Sequence, residues 1–209
     1  MKKSSILILI IICLVGCKKG SNETTITGEI KGLGTDTLYL YGMDELYDRI
    51  DTIYVENDKF SYTTSVDTIT SAYLLLKNRI EYPVFLDKGN KIKIKGDTIN
   101  LNFLTISGNI YNEEFTDFQK ALEDPADPSE KAGEETVDKR ITVEKANTAE
   151  EMAEEFILQH HSSYVSLYLL DKYFVQKETP DFSKIKKLVE VMTGVLQDKP
   201  YIERLNETI

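Results

Sequence analysis

From Thr24 to Ser107 apolar and polar residues alternate with a period of mostly two. The spacing predicts strands over residues 25–30, 37–41, 50–56, 60–64, 72–77, 82–86, 91–95 and 104–107. These runs are rich in Ile, Val, Thr, Tyr and Phe, side chains that suit a pleated, half-buried surface. In Lys91-Ile92-Lys93-Ile94-Lys95 the alternation is perfect, with lysines to water and isoleucines to a core. Turn chemistry separates the runs: Gly32 and Gly34 after the first, Lys88-Gly89-Asn90 before the lysine strand. Asn57-Asp58-Lys59 stands at hairpin distance between two strands, and Asn and Asp tolerate the positive φ of such loops. Eight short strands at this spacing suggest an antiparallel sandwich or a partly open barrel.

Beyond Ser107 the period lengthens to that of helices. Phe115, Phe118 and Leu122 share one face of a helix over 109–122. Pro125, Pro128 and Gly133 then interrupt an Asp-, Glu-, Ser- and Ala-rich stretch, an acidic linker near 123–147. Thr148-x-x-Glu151 has the form of a capping box opening a helix with Ala149, Met152, Ala153, Phe156 and Ile157 inward. Ser162 or Ser163 starts a next helix, apolar nearly all round from Tyr164 to Phe174 and therefore the most buried. Thr179-Pro180-Asp181 restarts the chain into a helix with the stripe Ile185, Leu188, Val189, Met192, Val195 and Leu196, and residues 201–209 add a short last turn. The expected class is α+β: an antiparallel β-sandwich-like domain over 24–108, then a helical domain over 109–209.

The first residues change the picture of where this chain works. Lys2 and Lys3 precede an apolar run from Ile6 to Val15, too short to cross a bilayer but fit for a secretory signal. It ends in Leu14-Val15-Gly16-Cys17, which resembles the bacterial lipobox. The resemblance implies a signal peptide over 1–16, lipidation at Cys17, and a polar tether over 17–23. Acyl chains at about 0.8 kcal/mol per buried methylene hold such a protein on a membrane. The expected location is the cell envelope, anchored to the inner or outer membrane. The tether lacks the acidic run that in some Gram-negative bacteria directs lipoproteins to the cell surface, so it points to the periplasm.

Composition narrows the chemistry. The 209 residues carry 25 Lys and Arg against 35 Asp and Glu, a net charge of −10. A nucleic-acid partner is excluded on that balance, since phosphates need a basic groove. Both cysteines, Cys13 and Cys17, lie at the start, so thiol chemistry and cysteine-ligated metals are excluded from everything after them. His160 and His161 are neighbours on a helix, about 100° apart, and do not chelate one metal together. Glu150, Glu151, Glu154 and Glu155 lie side by side rather than across a cleft, so they are expected to be solvated. Asp124, Asp127 and Glu130 alternate as in a calcium loop but are broken by prolines and lack the closing glutamate. Ser107 and Ser162-Ser163 lack a reachable histidine–acid pair. No catalytic residue, cofactor or metal site is therefore expected. The twelve tyrosines pack a core and sheet, or form an aromatic binding face.

A family resemblance rests on Gly28-Glu29-Ile30, Leu38-Tyr39-Leu40, residues 55–60, Ala72-Tyr73-Leu74, Val84-Phe85-Leu86-Asp87-Lys88-Gly89-Asn90 and Ile92-Lys93-Ile94. Ile106-Ser107-Gly108-Asn109 and Asn112-Glu113-Glu114-Phe115 continue it. Together these resemble a β-rich domain of unknown function at the N-terminus of lipid-anchored, thioredoxin-like periplasmic proteins of anaerobic Gram-negative bacteria. In that family the hairpin usually has a glycine where this chain has Asp58. Glu155-Phe156-Ile157, residues 161–166, Leu169-Leu170 and Asp198-Lys199-Pro200-Tyr201 resemble the helical segment that joins it to the redox domain. The Cys-x-x-Cys pair of those relatives has no matching position. The leading expectation is a lipid-anchored binding or scaffolding module, not an enzyme, with a membrane contact through its lipid and a periplasmic protein partner. The alternative is the non-catalytic N-terminal portion of a thioredoxin-like thiol–disulfide oxidoreductase whose redox domain is missing or supplied by a partner. A third is a small-ligand receptor using the sheet face.

Overall fold

The structure is a computed structural model and describes residues 22–43, 46–123 and 138–208. Cys13, Cys17 and the Asp124, Asp127, Glu130 run lie outside these residues. The fold is α+β. The strands are β1 (Glu23–Lys31), β2 (Asp36–Gly42), β3 (Ile50–Val55), β4 (Lys59–Ser65), β5 (Thr70–Leu75), β6 (Glu81–Leu86), β7 (Lys91–Asp97) and β8 (Thr105–Ser107). They form two four-stranded sheets, sheet I in the order β4-β1-β7-β8 and sheet II in the order β3-β2-β5-β6. Ile26, Ile30, Phe60, Ile92, Ile94 and Ile106 of sheet I are buried, as are Leu38, Leu40, Ile53, Val55, Leu74 and Val84 of sheet II. The alternation buries one side of each strand and leaves the other for a second layer or for water.

Two strand relationships depart from the sequence expectation. The pairing of β1 with β7 is parallel, Ile26 opposite Ile92 and Gly28 opposite Ile94, so the sheets are not wholly antiparallel. Local turn signals speak only for strands joined by a turn, and these two are far apart in the chain. The Asn57-Asp58 turn does have positive φ at both residues, 51° and 69°. It joins strands of different sheets, however: β3 and β4 share the single bridge Glu56–Lys59 before diverging. Asp58 is tied to Gly34, whose N–H donates to its carboxylate at 2.6 Å while the Asp58 N–H donates to the Gly34 carbonyl at 2.9 Å. A glycine there would lose the first of these bonds. β5 ends at Leu75, and Lys77 lies in a short 3-10 turn rather than in the strand.

The helices are α1 (Ile110–Glu123), α2 (Asp138–Gln159), α3 (Tyr164–Leu170), α4 (Phe182–Val191) and α5 (Pro200–Thr208). Helix α2 already runs at Asp138, so Thr148 lies inside a helix and the capping-box reading is corrected, as is the linker reading over 138–147. Ser163 caps α3, its Oγ accepting from the Val165 N–H, and Asp181 caps α4, accepting from Lys184 N–H. The apolar stretch after Ser163 is not one helix: α3 passes at Asp171–Val175 into a π turn, with Gln176 N–H bonded to the Asp171 carbonyl. The stripe ending in Leu196 is likewise split. Thr193 is extended and Gly194 has φ of 65°, so α4 stops and a 3-10 turn carries Leu196 inward.

Helix α1 closes one open side of the sandwich. Asn109 caps it by accepting from Asn112 N–H at 3.0 Å. Asn112 then satisfies the outer backbone edge of β6, and the Thr116 hydroxyl both accepts from Ile106 N–H and donates to the Ile106 carbonyl on β8. Side chains thus take the place of a further strand on two sheet edges, which would otherwise be unpaired. Phe115 and Tyr111 pack on Phe85, so β6 is covered on both faces. Among the described residues no helix is long and apolar enough to cross a membrane.

Candidate functional site

The polar residues singled out in the sequence come together in ways that explain folding. His160 lies just past α2, its ring stacked on Phe156 at 4.1 Å. Its Nδ1 faces Glu114 of α1 at 3.6 Å. The Ser163 hydroxyl donates to the other oxygen of the same carboxylate at 2.5 Å. Glu114 therefore sits between serine and histidine, the reverse of the order a nucleophilic triad needs, in which the imidazole touches the hydroxyl. Ser163 Oγ is also occupied as the α3 cap, accepting from Val165 N–H at 3.2 Å. The open hollow beside this group, about 440 Å³, is bordered by Tyr111, Gln159, His161 and Thr193.

The glutamates of α2 divide between two tasks. Glu150 pairs with Lys177 at 2.7 Å and Glu154 with Lys184 at 2.7 Å, tying α2 to the segment around α4. Glu155 accepts from the Gln159 side chain at 2.9 Å. The first pair are thus ion-paired, where full solvation was expected. Ser107 ends β8, and Gly108 follows with φ of 112° where a Cβ would stand 2.2 Å from the Lys91 carbonyl oxygen. That crowding requires glycine and explains the Ser-Gly-Asn exit as backbone geometry.

The tyrosines carry a different kind of site. On the outer side of sheet II, the described helices cover β6 and part of β5, whereas β2 and β3 keep exposed side chains. Tyr39 on β2 is 41% exposed, and Ile50 and Tyr54 on β3 are each 73% exposed. The register sets Tyr41 beside Ile50, Tyr39 beside Thr52 and Thr37 beside Tyr54, so these side chains form one ledge. From the ledge an aromatic row runs inward: Tyr41 to Tyr73 at 5.7 Å, Tyr73 to Tyr168 of α3 at 6.5 Å, then Tyr168 to Phe115 at 5.1 Å. The rings meet tilted or edge-on, the arrangement their quadrupoles favour.

Carboxylates flank this row. The Tyr41 hydroxyl donates to Glu81, and Tyr201 donates to Asp171 at 2.6 Å. Burial, then the charges of Asp171 and Glu81, push the Tyr73 hydroxyl up to about 12. Burial and the neighbouring carboxylates also raise Tyr41 and Tyr201 above the ordinary phenol range. These hydroxyls stay protonated at any physiological pH, and those of Tyr41 and Tyr201 donate to the two carboxylates. Between sheet and helices lies a notch of about 40 Å³, lined by Met43, Ser71, Tyr168, Asp171, Lys199 and Tyr201. A space of that size takes a small group of a bound molecule and no more. The π turn places Asp171 at this notch, a kind of irregularity that recurs at functional positions.

The ledge was legible only in part. Tyr39 and Tyr41 alternate with buried Leu38 and Leu40, and Tyr54 lies between buried Ile53 and Val55, so their outward register could be read from the sequence. That helices cover only half of the sheet could not. Among the described residues no cluster of three or more metal-binding side chains occurs. None of the curated proteins matches the chain. Residues 24–115, nearly the whole of the two sheets and α1 as far as Phe115, match the family described as a domain of unknown function, DUF4369.

Proposed function

We propose that this chain is a lipid-anchored protein of the cell envelope, facing the periplasm, that binds or scaffolds a protein partner and has no catalytic activity of its own. The supporting observation is the ledge of Tyr39, Ile50 and Tyr54 on two neighbouring strands of one sheet face. A solvated sheet face carries alternating polar side chains. Tyrosines combine apolar area with a hydroxyl and lose little entropy on contact, which suits a protein interface. Among the described residues the helical half also exposes large apolar side chains, Ile110, Leu158 and Phe182, but one from each of three helices. The ledge is thus the more concentrated contact surface, and the adjoining notch offers a seat for one side chain of a partner. Cys17 is the proposed lipid attachment residue, on the lipobox resemblance.

A photo-crosslinking side chain placed at Tyr54, and in a second variant at Lys93 on the opposite sheet, tests this in intact cells. A discrete protein adduct from position 54 and none from position 93 is expected. No adduct from either position, or the same adduct from both, overturns the assignment of the ledge. Cys17→Ala is expected to move the protein from the membrane to the soluble fraction, and a variant that still sediments with membranes at high salt overturns the anchor.

A further inference from the structure

The outer face of sheet I has the opposite chemistry to the ledge. Its outward positions on β1, β4, β7 and β8 are hydroxyl-bearing or charged, with no apolar side chain among Thr25, Thr27, Ser61, Thr63, Thr105 and Ser107. Lys31, Lys59, Lys91, Lys93 and Lys95 project from it. Three carboxylates share the face. Glu29 approaches Lys59 at 3.9 Å, and Asp97 accepts from the Ile99 N–H at 2.9 Å. Glu23 stands at the start of β1. Lys31, Lys91, Lys93 and Lys95 have no ion-pair partner among the described residues. In a chain of net charge −10, a lysine-rich sheet face runs against the overall balance. Beside Lys31 and Lys95 it opens into a groove of about 510 Å³. Glu29 and Asp97 also border it, and Gly96 beneath faces the core, where a Cβ would stand 2.3 Å from the buried Leu104 Cδ2.

We infer that this face lies against an anionic phospholipid surface, with the lysines over the headgroup phosphates. The inference rests on the lipid-anchor reading proposed above. From Cys17 to Glu23, where β1 begins in the middle of sheet I, the extended chain spans at most about 20–25 Å. The anchor therefore keeps this sheet close to the bilayer, and each lysine near an anionic surface favours contact about five-fold. The two sheets face opposite ways, so the same orientation turns the tyrosine ledge away from the membrane.

The lipidated full chain, purified in detergent, is reconstituted on vesicles of phosphatidylcholine alone and of phosphatidylcholine with an equal part of phosphatidylglycerol. Amine-reactive labelling of Lys91, Lys93 and Lys95 is read by mass spectrometry against Lys186 and Lys187, which are exposed on α4. Labelling of the three strand lysines is expected to fall about five-fold on the anionic vesicles only, and to recover at high salt. In Lys91→Gln/Lys93→Gln/Lys95→Gln the protection of Lys31 and Lys59 is expected to be lost while flotation with vesicles persists. Equal labelling on both vesicles, with the protein floating, overturns the face assignment alone. Protection that is the same on both vesicles and in detergent shows another part of the protein covering the face, and also overturns it. A chain that floats with neither overturns the anchor reading and this inference with it.

Discussion

The side-chain amide of Asn112 pairs with both backbone groups of Phe85, its Oδ1 accepting from N–H at 3.0 Å and its Nδ2 donating to the carbonyl at 2.8 Å. An amide side chain has the donor and acceptor of a peptide unit, so Asn112 continues the β6 ladder from a helix. Both partners are buried. Asn112→Ala leaves the buried Phe85 N–H without its partner, while the carbonyl keeps the Asn109 amide at 2.8 Å, and is expected to cost about 1–3 kcal/mol. Asn112→Asp keeps the acceptor but sets a carboxylate against the Phe85 carbonyl, and is expected to cost at least as much. Urea unfolding of the two variants checks this. A loss below about 1 kcal/mol for both would show that the edge does not depend on the clamp.

Gly28 is required by the ring it meets across the strands. It pairs with Phe60, and a Cβ would stand 2.1 Å from Phe60 Cζ. Gly28→Ala is expected to destabilise by about 1–3 kcal/mol through displacement of the ring. Gly28→Ala/Phe60→Leu is expected to recover part of that loss in thermal or urea melts. Purely additive losses would contradict the steric reading.

At the far side of the sandwich Asp51 accepts from Tyr47 and from Arg49 at 3.1 Å, and Arg49 reaches on to the Ser65 carbonyl of β4 at 3.1 Å. Burial alone would raise this carboxyl, but hydrogen bonds from Tyr47, Tyr62 and Arg49 outweigh it and hold Asp51 below the ordinary value of 3.8. Its stabilisation is complete above that value and drains as pH falls through the lower folded value. Asp36, held low by hydrogen bonds from Lys77 and Thr37, acts in the same direction. Stability is therefore expected to fall below about pH 4, with a shallower acid limb in Asp51→Asn. Superimposable acid limbs would remove Asp51 from this role.

The alkaline limb has the opposite sign. Tyr73 ionises at about 12 in the folded chain against 10.0 ordinarily, because burial and then the nearby carboxylates oppose the phenolate. Its contribution is intact below pH 10 and is lost as pH rises toward 12. The melting temperature is expected to drop across that window, with a flatter decline in Tyr73→Phe. An unchanged slope would contradict the burial of this hydroxyl.

Much of this architecture was readable from local patterns, because period-two alternation reports which side of a strand is buried, whatever its partner. All eight strands followed from it, and the positive φ of Asn57 and Asp58 followed from turn chemistry. Pairings between distant strands leave no such trace, so the parallel β1–β7 ladder was not visible. Nor was the parting of β3 and β4 into different sheets, since a hairpin and a sheet-crossing corner use the same turn residues. Helix α2 hid its start because charged residues between 138 and 147 carry little apolar periodicity. The site was half legible: outward tyrosines follow from register, whereas the ledge and notch depend on how far α1 and α3 extend over sheet II.

The contact role of the ledge is tested most directly by comparing the wild-type chain with Tyr39→Ser/Ile50→Ser/Tyr54→Ser, each purified from detergent-solubilised membranes. The three side chains are exposed, so their loss is expected to change unfolding stability by no more than about 1 kcal/mol. A protein that co-purifies in fixed proportion with the wild type, forms the adduct at position 54 and is lost from the equally folded triple variant is the expected result. The same partner, in the same proportion, on both chains would contradict it.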